Sequence, residues 1–273
     1  MPVVRYGEPL NVAVAAKGHP YLRDPFMAIF DGLPGIACTL VEQPAAARLM
    51  TREGMAGFDV LVLYDMPGLD FHAVDRPAYV EPEEAFKTGF LDLLDEGRIG
   101  IVALHHAIAG WPAWPGYAEA LGGRFLYRSD GATPDSGYRH DVTHEIVLEE
   151  PGHPIAAGLP TRFTLTDELY LFEVDESRVR PLLRSDHAFV RESFYSAAEA
   201  VAGRMFSNQG WVHPSGPDLV GWTKRAGNSP LVYLQPGDGP ATYADANYRR
   251  LVENAIRWAA SSEARAEVAT LPG

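Results

Sequence analysis

The chain has 273 residues, 47% of them hydrophobic and 22% charged, which is typical of a globular protein that can bury a sizeable core. Its formal net charge of −13 argues against nucleic-acid and anionic-membrane partners, because both attract clustered cations. Its single cysteine, Cys38, excludes an intrachain disulfide. No apolar run is long enough to span a bilayer and no signal-peptide pattern is visible, so we expect a cytoplasmic protein.

The first half of the chain alternates unbroken apolar runs with helical patterns. The runs cover residues 11–16, 37–41, 59–65 and 100–104. Apolar runs without alternation are typical of strands that are covered on both faces. Between them we predict helices over residues 25–30, with Asp24 as the N-cap, and over residues 83–96, with Gly97 as the stop. This order of elements predicts a mainly parallel sheet between two layers of helices.

From residue 125 to about residue 207 the pattern changes to short alternating segments. These predict antiparallel edge strands over residues 140–148, 163–166 and 169–172. We interpret residues 125–207 as an insertion within a single domain that covers residues 1–273. A buried strand over residues 230–235 and a final helix over about residues 243–260 then restore the α/β pattern.

Two histidines, His105 and His106, directly follow the strand over residues 100–104. We predict a tight turn after them and then a helix that runs to residue 121, with Pro112 in its first turn, where proline is favoured. Ligands of open α/β sheets bind beyond the carboxyl ends of the strands, so we expect an active site here. Because successive strand residues point to opposite faces, at most one of the two histidines is expected to face a shared pocket.

Several common cofactor and nucleophile motifs are missing from the sequence. There is no GxGxxG after the first strand, no phosphate-binding loop that ends in Gly-Lys-Ser/Thr, and no GxSxG nucleophile elbow. We therefore expect no nucleotide cofactor and no hydrolase of the nucleophile-elbow type.

The order and spacing of several segments resemble the ThuA-like family, which is named from bacterial trehalose utilisation. The matching segments cover residues 104–107, 114–117, 121–125, 153–160, 167–170, 231–233 and 249–260. The resemblance implies a flavodoxin-like three-layer sandwich, similar to the class I glutamine amidotransferases. It also implies carbohydrate metabolism, with a small-molecule sugar such as a disaccharide or keto-sugar of the trehalose type as the partner.

The chain departs from these relatives at two positions. Class I amidotransferases carry a nucleophilic cysteine at the strand-to-helix elbow, where this chain has His105 and His106, so we do not expect amidotransfer. The family usually has Gly-His after the last strand, where this chain has Gly237 and Asp238. Asp238 would therefore replace that histidine as a ligand or base, or the activity is altered.

The candidate catalytic set is His105, His106, Asp65 and Asp238. Histidine suits acid–base chemistry because its pKa lies near working pH. Asp65 and Asp238 lie at strand ends, where each could orient a histidine, bind a metal or accept a proton, or simply form a turn. A divalent metal is an open alternative, with His105, His106 and Asp238 as candidate ligands, and a metal-free mechanism is another.

Five further residues are candidate substrate contacts: His19, Trp111, Asp167, Glu168 and Tyr170. The tryptophan could stack on a sugar ring or belong to the core, and the last three could reach over the cleft or form a solvated bend. His140 and His144 share one face of a predicted strand, which we interpret as an exposed face rather than a metal site.

Two functional hypotheses follow from these residues. The first is an enzyme that acts on a sugar or keto-sugar by histidine-based acid–base chemistry, with or without a metal. The second is a non-catalytic carbohydrate-binding or regulatory module that keeps the fold. A homo-oligomer is compatible with both hypotheses.

Overall fold

The computed structural model describes residues 9–272, and its centre is a ten-stranded mixed sheet. The first parallel strands are β1 (Leu10–Lys17), β2 (Ile36–Glu42) and β3 (Val60–Asp65). A separate antiparallel pair, β4 (Leu69–Asp70) and β5 (Ala78–Tyr79), precedes β6 (Gly100–Leu104). The four strands that were predicted in this half are confirmed to within one residue of their ends, and they pair in the order β2-β1-β3-β6.

The second half of the sheet is antiparallel except for its last strand. Its members are β7 (Gly137–Leu148), β8 (Arg162–Leu171), β9 (Arg180–Ser185), β10 (Tyr195–Ser196), β11 (Leu219–Ala226) and β12 (Ser229–Leu234). Strand β12 joins the halves, because it pairs parallel to β6 and antiparallel to β11. The two strands predicted over residues 163–166 and 169–172 are one continuous strand, β8. Strands β9 and β11 were not predicted, since Pro181 and Gly221 interrupt their apolar pattern.

Helices pack around this sheet. They are α1 (Arg23–Met27), α2 (Ala45–Leu49), α3 (Glu84–Glu96), α4 (Pro115–Leu121), α5 (Ala197–Val201), α6 (Pro240–Ala244), α7 (Ala246–Ala259) and α8 (Ser262–Val268). The end of α3 is confirmed, because Gly97 adopts the left-handed conformation (φ 70°) that glycine tolerates. Within residues 9–272, no helix is long and apolar enough to cross a lipid bilayer.

Three predictions about helix ends are wrong. Helix α1 begins at Arg23, so Asp24 lies inside its first turn and Leu22 is the N-cap. The proline at the start of α4 is Pro115 rather than Pro112, which precedes the helix. The predicted final helix is two helices, because Asp245 turns the chain and its carboxylate then caps α7.

Two hydrophobic clusters lie on the two faces of the sheet. Successive residues of one strand enter different clusters, as Val12 and Ala13 of β1 show. The cluster of Val12 includes the buried face of α7, and the cluster of Ala13 includes that of α3. A strand between two helical layers has no solvent face, which explains the unbroken apolar runs. The architecture is the predicted three-layer α/β sandwich.

Candidate active site

A strained turn follows the central strand β6. His105 and His106 begin a short 3-10 helix (His105–Ala109) directly after Leu104. His105 has a φ of 46°, in the left-handed region, which costs a residue other than glycine on the order of 1–3 kcal/mol. The Tyr233 hydroxyl donates a hydrogen bond of 3.0 Å to the His105 carbonyl. The strained strand-to-helix turn is the place where nucleophile elbows present their reactive residue, and here it presents the His105 ring to the sheet edge.

The two ring nitrogens of the fully buried His105 have different surroundings. Nδ1 lies 2.7 Å from the carbonyl oxygen of Gln235 and therefore donates its proton there. Nε2 lies 2.8 Å from Tyr170 Oη, 3.2 Å from Glu168 Oε2 and 3.6 Å from Asp238 Oδ1. With the proton on Nδ1, a neutral ring would direct the Nε2 lone pair at two carboxylates. A second proton, at Nε2, makes the ring a donor toward these carboxylates and gives it a positive charge.

The pKa values of the cluster agree with this charge. Burial lowers the pKa of His105, but hydrogen bonds to Asp238 and Glu168 outweigh burial and raise it to about 10. Burial raises the pKa of Asp238, but the hydrogen bond and charge of His105 outweigh it and lower that pKa below its ordinary value. The result is an imidazolium between two carboxylates.

The same three side chains could hold a divalent cation in place of the second proton. His105, Glu168 and Asp238 each offer one ligand atom, and these atoms lie within 4.8 Å of one another. The bond from Nδ1–H to a backbone carbonyl is the usual support of a metal-bound histidine. In this group Glu168 takes the place that the sequence analysis gave to His106.

Asp167 holds the turn that carries Asp238. Its Oδ2 accepts a hydrogen bond of 2.6 Å from the Gly237 N–H, and its Oδ1 accepts one of 3.1 Å from the Asp238 N–H. Burial raises the pKa of Asp167 to about 6. Gly237 is required here, because an added Cβ would lie 2.5 Å from the Tyr248 hydroxyl. Asp167 therefore positions Asp238, and its buried side chain does not itself reach the surface.

A β-bulge brings His140 into the site. The pairing of β7 with β8 shifts between Arg139 and Val142, and Asp141 at the bulge has a φ of 54°. His140 Nδ1 then lies 3.2 Å from Glu168 Oε1, while 40% of the His140 side chain stays exposed. Bulges re-aim side chains beside active sites in this way.

The prediction that His140 and His144 share an exposed face is wrong. His144 is buried, with Nδ1 2.8 Å from the Ser185 hydroxyl, and burial lowers its pKa to about 4. The bulge adds one residue between the two histidines, so the alternation along β7 is interrupted.

His106 and His19 form a second pair beside the cluster. Their rings stack with centroids 4.6 Å apart. The Nε2 of His106 donates to the Tyr64 carbonyl at 3.1 Å, and the Nδ1 of His19 donates to the Pro20 carbonyl at 2.9 Å. Burial, with the neighbouring charges of the other histidines, lowers the pKa of His106 well below its usual range. His19 is partly exposed and its pKa is also lowered, chiefly by burial.

The structure places Asp65 and Trp111 outside the His105 cluster. Asp65 contacts Gln43, whose Nε2 donates to it at 2.6 Å, and burial raises the pKa of Asp65 to about 6. The neighbouring Tyr64 instead reaches the Gly237 carbonyl, because alternate strand residues face opposite sides of the sheet. The Trp111 ring packs on Phe86, with centroids 5.1 Å apart.

Gln235 also belongs to the site and, like His140, was not predicted from the sequence. The Gln235 carbonyl accepts the hydrogen bond from the His105 Nδ1–H, and the Gln235 side-chain Oε1 accepts a hydrogen bond of 2.9 Å from the Tyr170 N–H. The sequence did contain a signal for Gln235, because it is a polar residue at the end of an apolar strand and lies three positions before Asp238. Cys38, in contrast, lies in β2, where burial and the charge of Asp31 raise the pKa of its thiol to about 12.

The fold is a glutamine-amidotransferase-like sandwich, with His105 at its elbow and the carboxylates of Glu168 and Asp238 beside it. PurLQS from Thermotoga maritima shares the fold, with a TM-score of 0.51 at 11% identity, over 92% of this chain and 99% of that one. The family model ThuA, described as trehalose utilisation, matches residues 32–259, and the chain belongs to this family.

Two solved structures of ThuA-like proteins share the fold. A ThuA-like protein from Parabacteroides merdae matches with a TM-score of 0.63 and 15% identity, over 93% of this chain and 90% of that one. A ThuA-like protein from Bacteroides uniformis matches with a TM-score of 0.62 and 17% identity, over 95% of both chains. No curated protein matches the chain in sequence.

Proposed function

We propose that the chain is an enzyme that acts on a disaccharide or keto-sugar of the trehalose type by acid–base chemistry at the His105 cluster. One observation carries the proposal: a wholly buried histidine lies against a carboxylate that reaches the surface. The His105 side chain is 0% exposed, whereas 35% of the Asp238 side chain is exposed. Burying a charged ring under an accessible carboxylate costs free energy, and such arrangements cluster at active sites.

The accessible members of the cluster have different catalytic roles. Asp238 meets the substrate and accepts a proton from a sugar hydroxyl or from a carbon beside a carbonyl. His140, which is 40% exposed, donates a proton to the leaving or carbonyl oxygen. Glu168 contacts His105 through one carboxylate oxygen and His140 through the other. The three side chains therefore form one connected polar group. His105 acts as a positioning residue that keeps Asp238 ionised.

The family supports the substrate class, and the donor set fits a metal. Sugars need several hydrogen-bonding partners at one edge, which the partly exposed Asp238, His140 and His19 supply. A divalent cation held by His105, Glu168 and Asp238 would polarise a sugar carbonyl in place of the imidazolium proton. The partner that this site implies is a small sugar.

The test is turnover of defined sugars by matched variants. Trehalose, a keto derivative of trehalose and glucose are each incubated with the protein and followed by proton NMR. Elemental analysis of the same tag-free samples shows whether a metal is present. Asp238→Asn removes the base, and Asp75→Asn, at an exposed position on the loop before β5, is the matched control.

We expect conversion of one of the two disaccharides by the wild type and by Asp75→Asn. Asp238→Asn should lower the rate roughly a hundredfold or more, which is typical for loss of a general base. Equal rates in both variants would contradict the role of Asp238. Binding of trehalose without any conversion would contradict catalysis and favour a binding module instead.

A further inference from the structure

An exposed aromatic side chain lies next to the candidate active site. Residues 202–208 form a loop after α5, and it presents Met205 and Phe206, whose exposed fractions are 48% and 59%. Phe206 has a φ of 60°, a left-handed conformation that is strained for a bulky residue. The Phe206 N–H donates a hydrogen bond of 3.0 Å to the hydroxyl of Tyr138, which fixes the loop in this conformation.

Phe206 is the outer ring of an aromatic wall that starts at His140 and includes Tyr195. Its ring centroid lies 5.6 Å from that of Tyr195 and 6.3 Å from that of His140. The buried Tyr138 ring supports the wall from behind, 5.1 Å from His140 and 5.9 Å from Tyr195. His140 in turn contacts Glu168, so the wall begins at the site and leads away from it.

We propose that Phe206, which packs edge-to-face with Tyr195 at an interplanar angle of 73°, forms a subsite that stacks against the second ring of a disaccharide, the ring that does not react at Asp238. The inference rests on the proposed function and names its substrate class more narrowly. A pyranose presents an apolar C–H face, which matches an aromatic face, and its hydroxyls remain free for the polar rim. A ring held on Phe206 lies beside the His105 cluster rather than over it, so a single hexose bound at Asp238 would not use this wall.

Folding stability does not account for Phe206. An exposed ring adds little buried apolar area, and the left-handed backbone carries strain that glycine would avoid. Met205 and Phe206 together present an exposed apolar surface beside the site, and a contiguous surface of this kind is typical of ligand binding.

The experiment compares the affinity for trehalose with that for glucose by isothermal titration calorimetry. Phe206→Gly removes the ring and relaxes the backbone, and Phe206→Tyr keeps an aromatic face. Leu91→Ala, at a leucine on α3 that is 43% exposed, is the control for loss of an exposed apolar side chain. Melting temperatures are measured on the same samples.

We expect Phe206→Gly to bind trehalose about threefold to tenfold more weakly, the usual contribution of one stacked aromatic contact, and to bind glucose as the wild type does. Its melting temperature should stay equal or rise, and Phe206→Tyr and Leu91→Ala should leave both affinities unchanged. An unchanged ratio of trehalose to glucose affinity in Phe206→Gly would overturn the subsite.

The two proposals fail separately. If Asp238→Asn abolishes conversion and Phe206→Gly leaves the affinity ratio unchanged, the enzyme stands and the subsite is wrong. If Phe206→Gly lowers the ratio and Asp238→Asn keeps full conversion, the subsite stands and the catalytic assignment is wrong. Weaker binding of both sugars together with a lower melting temperature would show a structural role for Phe206 and overturn the subsite as well.

Discussion

The parallel and antiparallel halves of the sheet contribute different things to the candidate site. The parallel half supplies a rigid, dry edge, where His105 and His106 follow the wholly buried strand β6. The antiparallel half supplies Glu168 from β8 and His140 from the bulge in β7. The parallel half thus holds the buried ring of His105, and the antiparallel half brings the Glu168 carboxylate and the exposed His140 to that ring. The exposed position of His140 comes from β7, which carries several exposed residues, whereas β3 and β6 of the parallel half are buried throughout.

The largest effect should come from the two adjacent histidines of the parallel half. His105→Ala removes the charge that keeps Asp238 ionised, and we expect conversion of the sugar to fall about a hundredfold or more. His106→Ala removes a stacked, neutral ring, and we expect most of the activity to remain while the free energy of unfolding falls by about 1–3 kcal/mol.

Turnover assays and urea denaturation of both variants check this contrast. A variant pair with the opposite outcome, in which His106→Ala is inactive and His105→Ala active, would show that the wrong histidine was assigned. A large loss of stability in both would place both histidines in a structural role.

The bulge in β7 should have the next largest effect. Deletion of Asp141 restores regular alternation and turns His140 away from Glu168, so we expect conversion to fall roughly tenfold to a hundredfold in a protein that still folds. Asp141→Gly keeps the bulge and relaxes the left-handed backbone, so it should remain active and melt at an equal or higher temperature. Equal activity of both variants, at equal circular dichroism, would remove His140 from the chemistry.

The sequence predicts the parallel half better than the antiparallel half, for a physical reason. Unbroken apolar runs and the strand-end rule were enough to bring His105 and Asp238 to one edge. Sequence alternation could not locate the bulge at Asp141, because an aspartate in the left-handed region looks like any polar strand residue. Nor could it decide that Asp65 faces away from the cluster, since a shift of one residue reverses the face of a side chain.

A moderate effect, on stability and its pH dependence, is expected at Asp65. Burial raises its pKa from 3.8 to about 6, so between these values the folded chain binds more protons than the unfolded chain. The wild type therefore loses stability as the pH rises from about 4 to about 6, and the full penalty is present above that range.

Asp65→Asn cannot ionise, so we expect it to be more stable than the wild type at pH 8, by at most about 3 kcal/mol, and no more stable at pH 4. Urea denaturation at the two pH values measures the difference, with Asp75→Asn as the exposed control. We also expect the variant to retain activity. Lost activity in a stably folded Asp65→Asn protein would show that Asp65 takes part in catalysis despite its place on the other face.

The smallest effect is expected at Cys38, which lies on the edge strand β2, far along the sheet order from the antiparallel half. Because burial and Asp31 raise its thiol pKa to about 12, almost no thiolate is present at neutral pH. Cys38→Ser should keep full activity and change the melting temperature by only a few degrees. Loss of activity in a folded Cys38→Ser protein would instead indicate a thiol mechanism.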